Sequence, residues 1–102
     1  PALYEAFMGI VNTRRREGAT EVWDVVGPVC ESGDWLGRDR QLSVQPGDVL
    51  AVLSAGAYGM TMASNYNTRG RAAEILVDGD SAHLIRQRES SQDQMRMEKL
   101  IA

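Results

Sequence analysis

Residues 26–34 read Val-Gly-Pro-Val-Cys-Glu-Ser-Gly-Asp. This stretch sets a thiol, Cys30, beside a carboxylate, Glu31, in a short loop that follows an apolar strand pattern and a Gly-Pro turn. A thiol can donate a proton to a reacting carbon. A carboxylate in a closed pocket can pair with a cationic group through a charge-assisted hydrogen bond and reject molecules that lack it. Taken alone, the residues leave a second reading open for each. A lone cysteine is often a small buried apolar side chain, and a loop glutamate is usually solvated. Ser32 could donate to a bound carboxylate, and Asp34 reads as a turn-capping residue. Tyr58 lies in Gly56-Ala57-Tyr58-Gly59, where glycines let backbone approach a ligand closely; the alternative is a half-buried tyrosine with a satisfied hydroxyl.

Other chemistry is missing from the chain. Cys30 is the only cysteine, so no internal disulfide can form and a reducing, cytoplasmic setting is expected. His83 has no cysteine or carboxylate at metal-ligand spacing, so no metal site is expected. Lys99 is the only lysine and sits in a polar, charged tail. A reaction that needs a Schiff-base lysine must borrow it from elsewhere. The net charge of -3 speaks against nucleic acid as a partner. The run Arg14-Arg15-Arg16 fits a solvated loop or an anion contact. No apolar run approaches the ~18 residues of a membrane helix, and residues 1–5 do not read as a signal peptide.

The elements that must position these residues are short. The length of 102 residues suits one domain, here expected over 1–102. Leu3, Phe7 and Ile10 have i, i+4, i+7 spacing and predict a short helix over 2–10. Val22, Trp23, Val25, Val26 and Val29 predict a strand ended by Gly27-Pro28. Gly33, Asp34, Gly37 and Asp39 predict a loop over 30–39. Val49 to Leu53 predicts a buried strand. Met60, Met62 and Ala63 suggest a short helical turn. Glu74–Val77 and Ala82–Arg86 predict a hairpin through Asp78-Gly79-Asp80. Ser91 is a plausible N-cap for a helix within 90–102. Short strands separated by turns imply an all-β sandwich or Greek-key barrel with short peripheral helices.

Five blocks, in order, resemble one family. They are Pro-Ala-Leu-Tyr-Glu-Ala at 1–6, the Cys-Glu loop at 26–34, Pro-Gly-Asp at 46–48, Gly-Ala-Tyr-Gly-Met at 56–60, and Asn-Tyr-Asn-Thr-Arg-Gly-Arg-Ala-Ala-Glu-Ile-Leu-Val at 65–77. Together they resemble the C-terminal β-domain of the diaminopimelate decarboxylases, enzymes of lysine biosynthesis that use pyridoxal phosphate. The resemblance implies an N-terminal (β/α)8 barrel outside this chain that carries the cofactor lysine. It also implies active sites shared across a homodimer, and a chain that forms roughly the last quarter of its parent and is inactive alone. Pro1 in place of an initiator methionine agrees with that expectation. An arginine precedes the Pro-x-x-Tyr segment in the family and would stand just before Pro1. By resemblance, Cys30 is the catalytic acid and Glu31 binds the distal ammonium of an amino-acid substrate. Tyr4 binds its distal carboxylate, and Tyr58 lies against cofactor and substrate. Met8 stands where the family often has histidine, and Ala72 where proline is common. Related basic-amino-acid or polyamine-precursor decarboxylases usually have Asp after the cysteine, where this chain has Glu31. A non-catalytic dimerisation β-domain is the reading from another class.

Overall fold

The computed structural model describes residues 7–101. The chain divides into two compact units, Pro1–Met62 and Ala63–Ala102. The first holds four strands: β1 (Ile10–Asn12), β2 (Glu21–Val26), β3 (Trp35–Leu42) and β4 (Leu50–Val52). The second holds a turn of 3-10 helix (Tyr66–Thr68), β5 (Glu74–Asp78), β6 (Ser81–Arg86) and an α-helix, α1 (Ser91–Met95). The strands pair as three antiparallel ladders, β1 with β4, β2 with β3 and β5 with β6. The all-β class stands; among the described residues no ladder closes into a barrel.

In the first unit, the helix expected over 2–10 is not found at 7–10. Residues 2–6 of that expectation lie outside the described residues. Phe7 is 79% exposed, whereas Met8 and Ile10 are 4% and 8% exposed. That alternation is the period of extended chain, and Ile10 enters β1. The spacing of Leu3, Phe7 and Ile10 misled because Phe7 faces outward, where the Arg40 guanidinium covers its ring at 4.0 Å from the centroid. Arg40 also donates to the Met8 carbonyl at 2.6 Å.

The loop expected over 30–39 is shorter than its composition suggests, because β3 begins at Trp35. Its turn formers are used inside the strand. Trp23 opposes Arg40 but Val25 opposes Gly37, so β3 carries an extra residue between those pairs. Asp39 takes the left-handed backbone there, φ 54°, and its N–H donates to the Asp24 carboxylate at 2.9 Å. The bulge shifts the alternation, which puts Arg40 and Leu42 on the same face as Gly37. A Cβ on Gly37 would lie 2.8 Å from Ile10 Cδ1 and 3.0 Å from the Arg40 guanidinium. Glycine thus lets Ile10 and Arg40 close over β3 where β1 packs on it; a larger residue would push those side-chain ends aside. Burying Ile10 and Leu42 there contributes about 1.5–3 kcal/mol per side chain.

A carboxylate ties the two ends of this unit together. Asp48 accepts from Arg16 at 2.5 and 3.0 Å, from the Asn12 amide at 2.9 Å and from the Gln45 N–H at 3.0 Å. Its side chain is only 5% exposed. These donors hold its carboxyl far below the usual range, Arg16 contributing most. Arg16 is thus a structural partner, while Arg14 and Arg15 are exposed.

The second unit contains the expected hairpin. Gly79 and Asp80 form its two-residue loop, with Gly79 at φ 57°. Ile75, Leu76, Val77, Leu84 and Ile85 are all more than half exposed, on both faces of the hairpin. Glu89 anchors the preceding loop by accepting from the Arg71 N–H and the Asn65 amide, which lower its pKa. A Cβ on Gly70 would meet the Glu89 carbonyl oxygen at 2.2 Å. The helix within 90–102 is confined to Ser91–Met95, and its N-cap is Ser90 rather than Ser91. Ser90 Oγ accepts from Asp93 N–H while Asp93 accepts from Ser90 N–H, a reciprocal cap. Leu100 and Ile101 are fully exposed.

Candidate active site

The Cys30–Asp34 loop joins β2 to β3 and is fixed from within. Gly27 N–H donates to the Asp34 carbonyl at 2.8 Å, which continues the β2–β3 ladder to the mouth of the loop. Inside, Asp34 N–H donates to the Glu31 carbonyl at 3.0 Å, Glu31 N–H to the Val29 carbonyl at 2.9 Å and Trp35 N–H to the Gly33 carbonyl at 3.0 Å. The Asp34 carboxylate turns back beneath the loop and accepts from Val29 N–H at 3.2 Å. It lies where a Cβ of residue 27 would be, 2.0–2.2 Å from that position, so only glycine admits it.

This loop presents Cys30 and Glu31 to the outside. The thiol is exposed, as is the glutamate. Neither is the buried apolar residue that a lone cysteine often is. Glu31 Oε1 accepts from Gly33 N–H at 3.1 Å and lies 3.5 Å from Ser32 Oγ. The carboxylate is thereby oriented by its own loop. Thiol and carboxylate stand on consecutive residues of the same exposed turn.

Tyr58 stands elsewhere in the same unit, on a wide helical turn over Gly56–Met60. That turn occupies the segment before the helical turn expected around Met60–Ala63. It closes through Met60 N–H and Gly59 N–H donating to the Ala55 carbonyl, both at 2.8 Å. Tyr58 is about half exposed. A Cβ on Gly56 would meet nothing within 4 Å, so the backbone beside Tyr58 is open to an approaching group. Tyr4, the remaining expected site residue, lies outside the described residues.

A hollow of about 350 Å³ is lined by Trp23, Val44, Gln45, Pro46, Gly47, Asp48 and Leu50. Cys30, Glu31 and Tyr58 are not among its walls. Among the described residues no group of three or more His, Cys, Asp or Glu could hold a metal ion. No helix there is long and apolar enough to cross a membrane.

In the first unit, antiparallel strand pairs carry an exposed loop, braced from within, on which Cys30 and Glu31 are neighbours. Residues 1–56 match the C-terminal sheet domain of the pyridoxal-dependent decarboxylases, and the chain belongs to that family. It is 54% identical over 101 residues to a diaminopimelate decarboxylase of Pseudomonas aeruginosa, covering 99% of this chain and 24% of the relative. It is 55% identical over 102 residues to that of Haemophilus influenzae, covering 99% and 25%. Among solved structures, the diaminopimelate decarboxylase of M. jannaschii in complex with L-lysine superposes with a TM-score of 0.87. That match has 43% identity and covers 99% of this chain and 23% of that one. The chain thus spans about a quarter of the length of these relatives.

Pyridoxal phosphate is the family's cofactor. The side chains expected to face it can be reached from outside. Cys30, Glu31 and Tyr58 are accessible, and the Gly56 backbone is open. Lys99 does not fit the covalent anchor, because it is exposed in the segment after α1 with no apolar wall around it.

Proposed function

We propose that this chain supplies the C-terminal part of a diaminopimelate decarboxylase, which converts meso-2,6-diaminopimelate to L-lysine in the cytoplasm as a homodimer. The observation that carries the proposal is the exposed Cys30–Glu31 pair on a loop braced from within, in a chain about half identical to such enzymes over nearly its whole length. Bound pyridoxal phosphate supplies the electron sink for loss of a carboxylate as carbon dioxide. Cys30 then donates its thiol proton to the carbon from which the carboxylate departed. Glu31 pairs with the distal ammonium of the substrate, and its oriented carboxylate favours diamino substrates over those lacking that amine. Tyr58 contacts cofactor and substrate with its ring and hydroxyl, and Tyr4 holds the distal carboxylate. The lysine anchor and the other walls come from the barrel and from the second protomer.

The full-length protein carrying residues 1–102, assayed with meso-diaminopimelate, should release carbon dioxide and L-lysine in equal amounts. No release would defeat the proposal, and preference for another basic amino acid would favour the related decarboxylases. Residues 1–102 alone, with added pyridoxal phosphate, should be inactive; turnover by this segment would remove the need for a barrel.

A further inference from the structure

The geometry points to Asp34 as the positioning residue of the Cys30–Glu31 pair. This rests on the reading just given and deepens it. Asp34 holds the loop at three points. Its carbonyl receives Gly27 N–H at 2.8 Å, its N–H reaches the Glu31 carbonyl at 3.0 Å, and its carboxylate takes Val29 N–H at 3.2 Å. The first two are backbone bonds that any residue supplies. The third depends on the side chain, and its donor is the residue immediately before Cys30. It therefore sets the direction in which the chain delivers thiol and carboxylate. Gly27 completes the device, since a Cβ there would lie 2.0 Å from Asp34 Oδ2.

Asp34 itself touches no substrate in this account; it acts through Val29. Misplacing a reacting group by about 1 Å costs on the order of a hundredfold in rate. Glu31 Oε1 is oriented by Gly33 N–H, which lies between the two carboxylates in sequence and depends on the same loop path.

The test compares Asp34→Ala, Asp34→Asn and Gly27→Ala in the full-length, cofactor-loaded protein. Asp34→Ala should lower kcat by roughly 30- to 100-fold and raise KM for meso-diaminopimelate, with Tm and cofactor content unchanged. Asp34→Asn keeps an acceptor oxygen and should recover at least about tenfold of that loss. Gly27→Ala, which displaces the carboxylate without deleting it, should reproduce the Asp34→Ala pattern. The rate of Cys30 alkylation by iodoacetamide, followed on its own peptide, should change in Asp34→Ala and Gly27→Ala but not in Asp34→Asn. Should Asp34→Ala fail to fold, the other two variants carry the test. Wild-type kinetics and alkylation in Gly27→Ala, or a folded Asp34→Asn no better than alanine, would overturn the inference. An inactive wild-type protein would instead overturn the function from which it starts.

Discussion

Two carboxylates in the first unit are used in opposite ways. Asp48 is nearly buried and takes donors from three residues spread along the chain, Asn12, Arg16 and Gln45. Glu31 is exposed and takes its partners from the next two residues of its own loop. The first spends its hydrogen-bonding capacity on holding distant segments together. The second is merely pointed, by bonds too local to join one element to another. The carboxylate that joins segments is enclosed by them, whereas the one proposed to meet a ligand is aimed by its loop and left accessible.

Mutations should separate the two uses. The largest effect is expected from Cys30→Ala in the full-length protein. Turnover should fall by roughly 10²–10⁴-fold, the usual span for a positioned general acid, at unchanged Tm. Undiminished turnover would remove Cys30 as the acid. Glu31→Gln comes next. It should raise KM for diaminopimelate about tenfold, as expected for loss of ~1.4 kcal/mol of binding, again with unchanged Tm; an unaltered KM would deny the ammonium contact. Asp48→Asn should do the reverse. It weakens the tie to Arg16, so the midpoint of urea unfolding should fall while kcat per folded molecule stays constant. A change in kcat without a change in midpoint would erase the distinction drawn here.

The smallest effect is a pH dependence. The Asp48 carboxyl is held below its unfolded value, so the folded state binds fewer protons there than the unfolded one. Its contribution to stability is complete above about pH 4, the ordinary aspartate range, and declines as pH falls toward its depressed folded value. Urea midpoints for wild type and Asp48→Asn should therefore converge below about pH 4. A gap that persists undiminished in acid would assign the stabilisation to something other than charge.

How much of this could be read in the chain depends on how local each cause is. The Asp78-Gly79-Asp80 hairpin and the Cys-Glu turn are set by neighbours, and the sequence pattern displays both. The start of β3 was hidden because Gly37 and Asp39 have turn chemistry but serve as a close-packing point and a bulge. The extended path through Met8 and Ile10 was hidden by an accidental helical spacing that included the outward-facing Phe7. The Arg16–Asp48 pair joins residues 32 apart, and nothing local marks Arg16 from Arg14 or Arg15. Of the candidate site, Cys30, Glu31 and Tyr58 were legible through their motifs. The bracing by Asp34 was only half legible. Its turn role follows from residue type, but the Gly27 clearance that admits its side chain is a matter of three-dimensional space.

The left-handed residue in β3 is a tolerated insertion, so the strand should answer unequally to losing one residue on either side of it. Removing Asp39 would leave Gly37, Arg40 and Leu42 at alternate positions, as in a regular strand. Removing Gln41, beyond the bulge, would turn Leu42 away from Ile10 unless the bulge itself were lost and Arg40 turned outward instead. In a single-residue deletion series read by thermal melting, loss of Gln41 should therefore be costlier than loss of Asp39, although both residues are exposed.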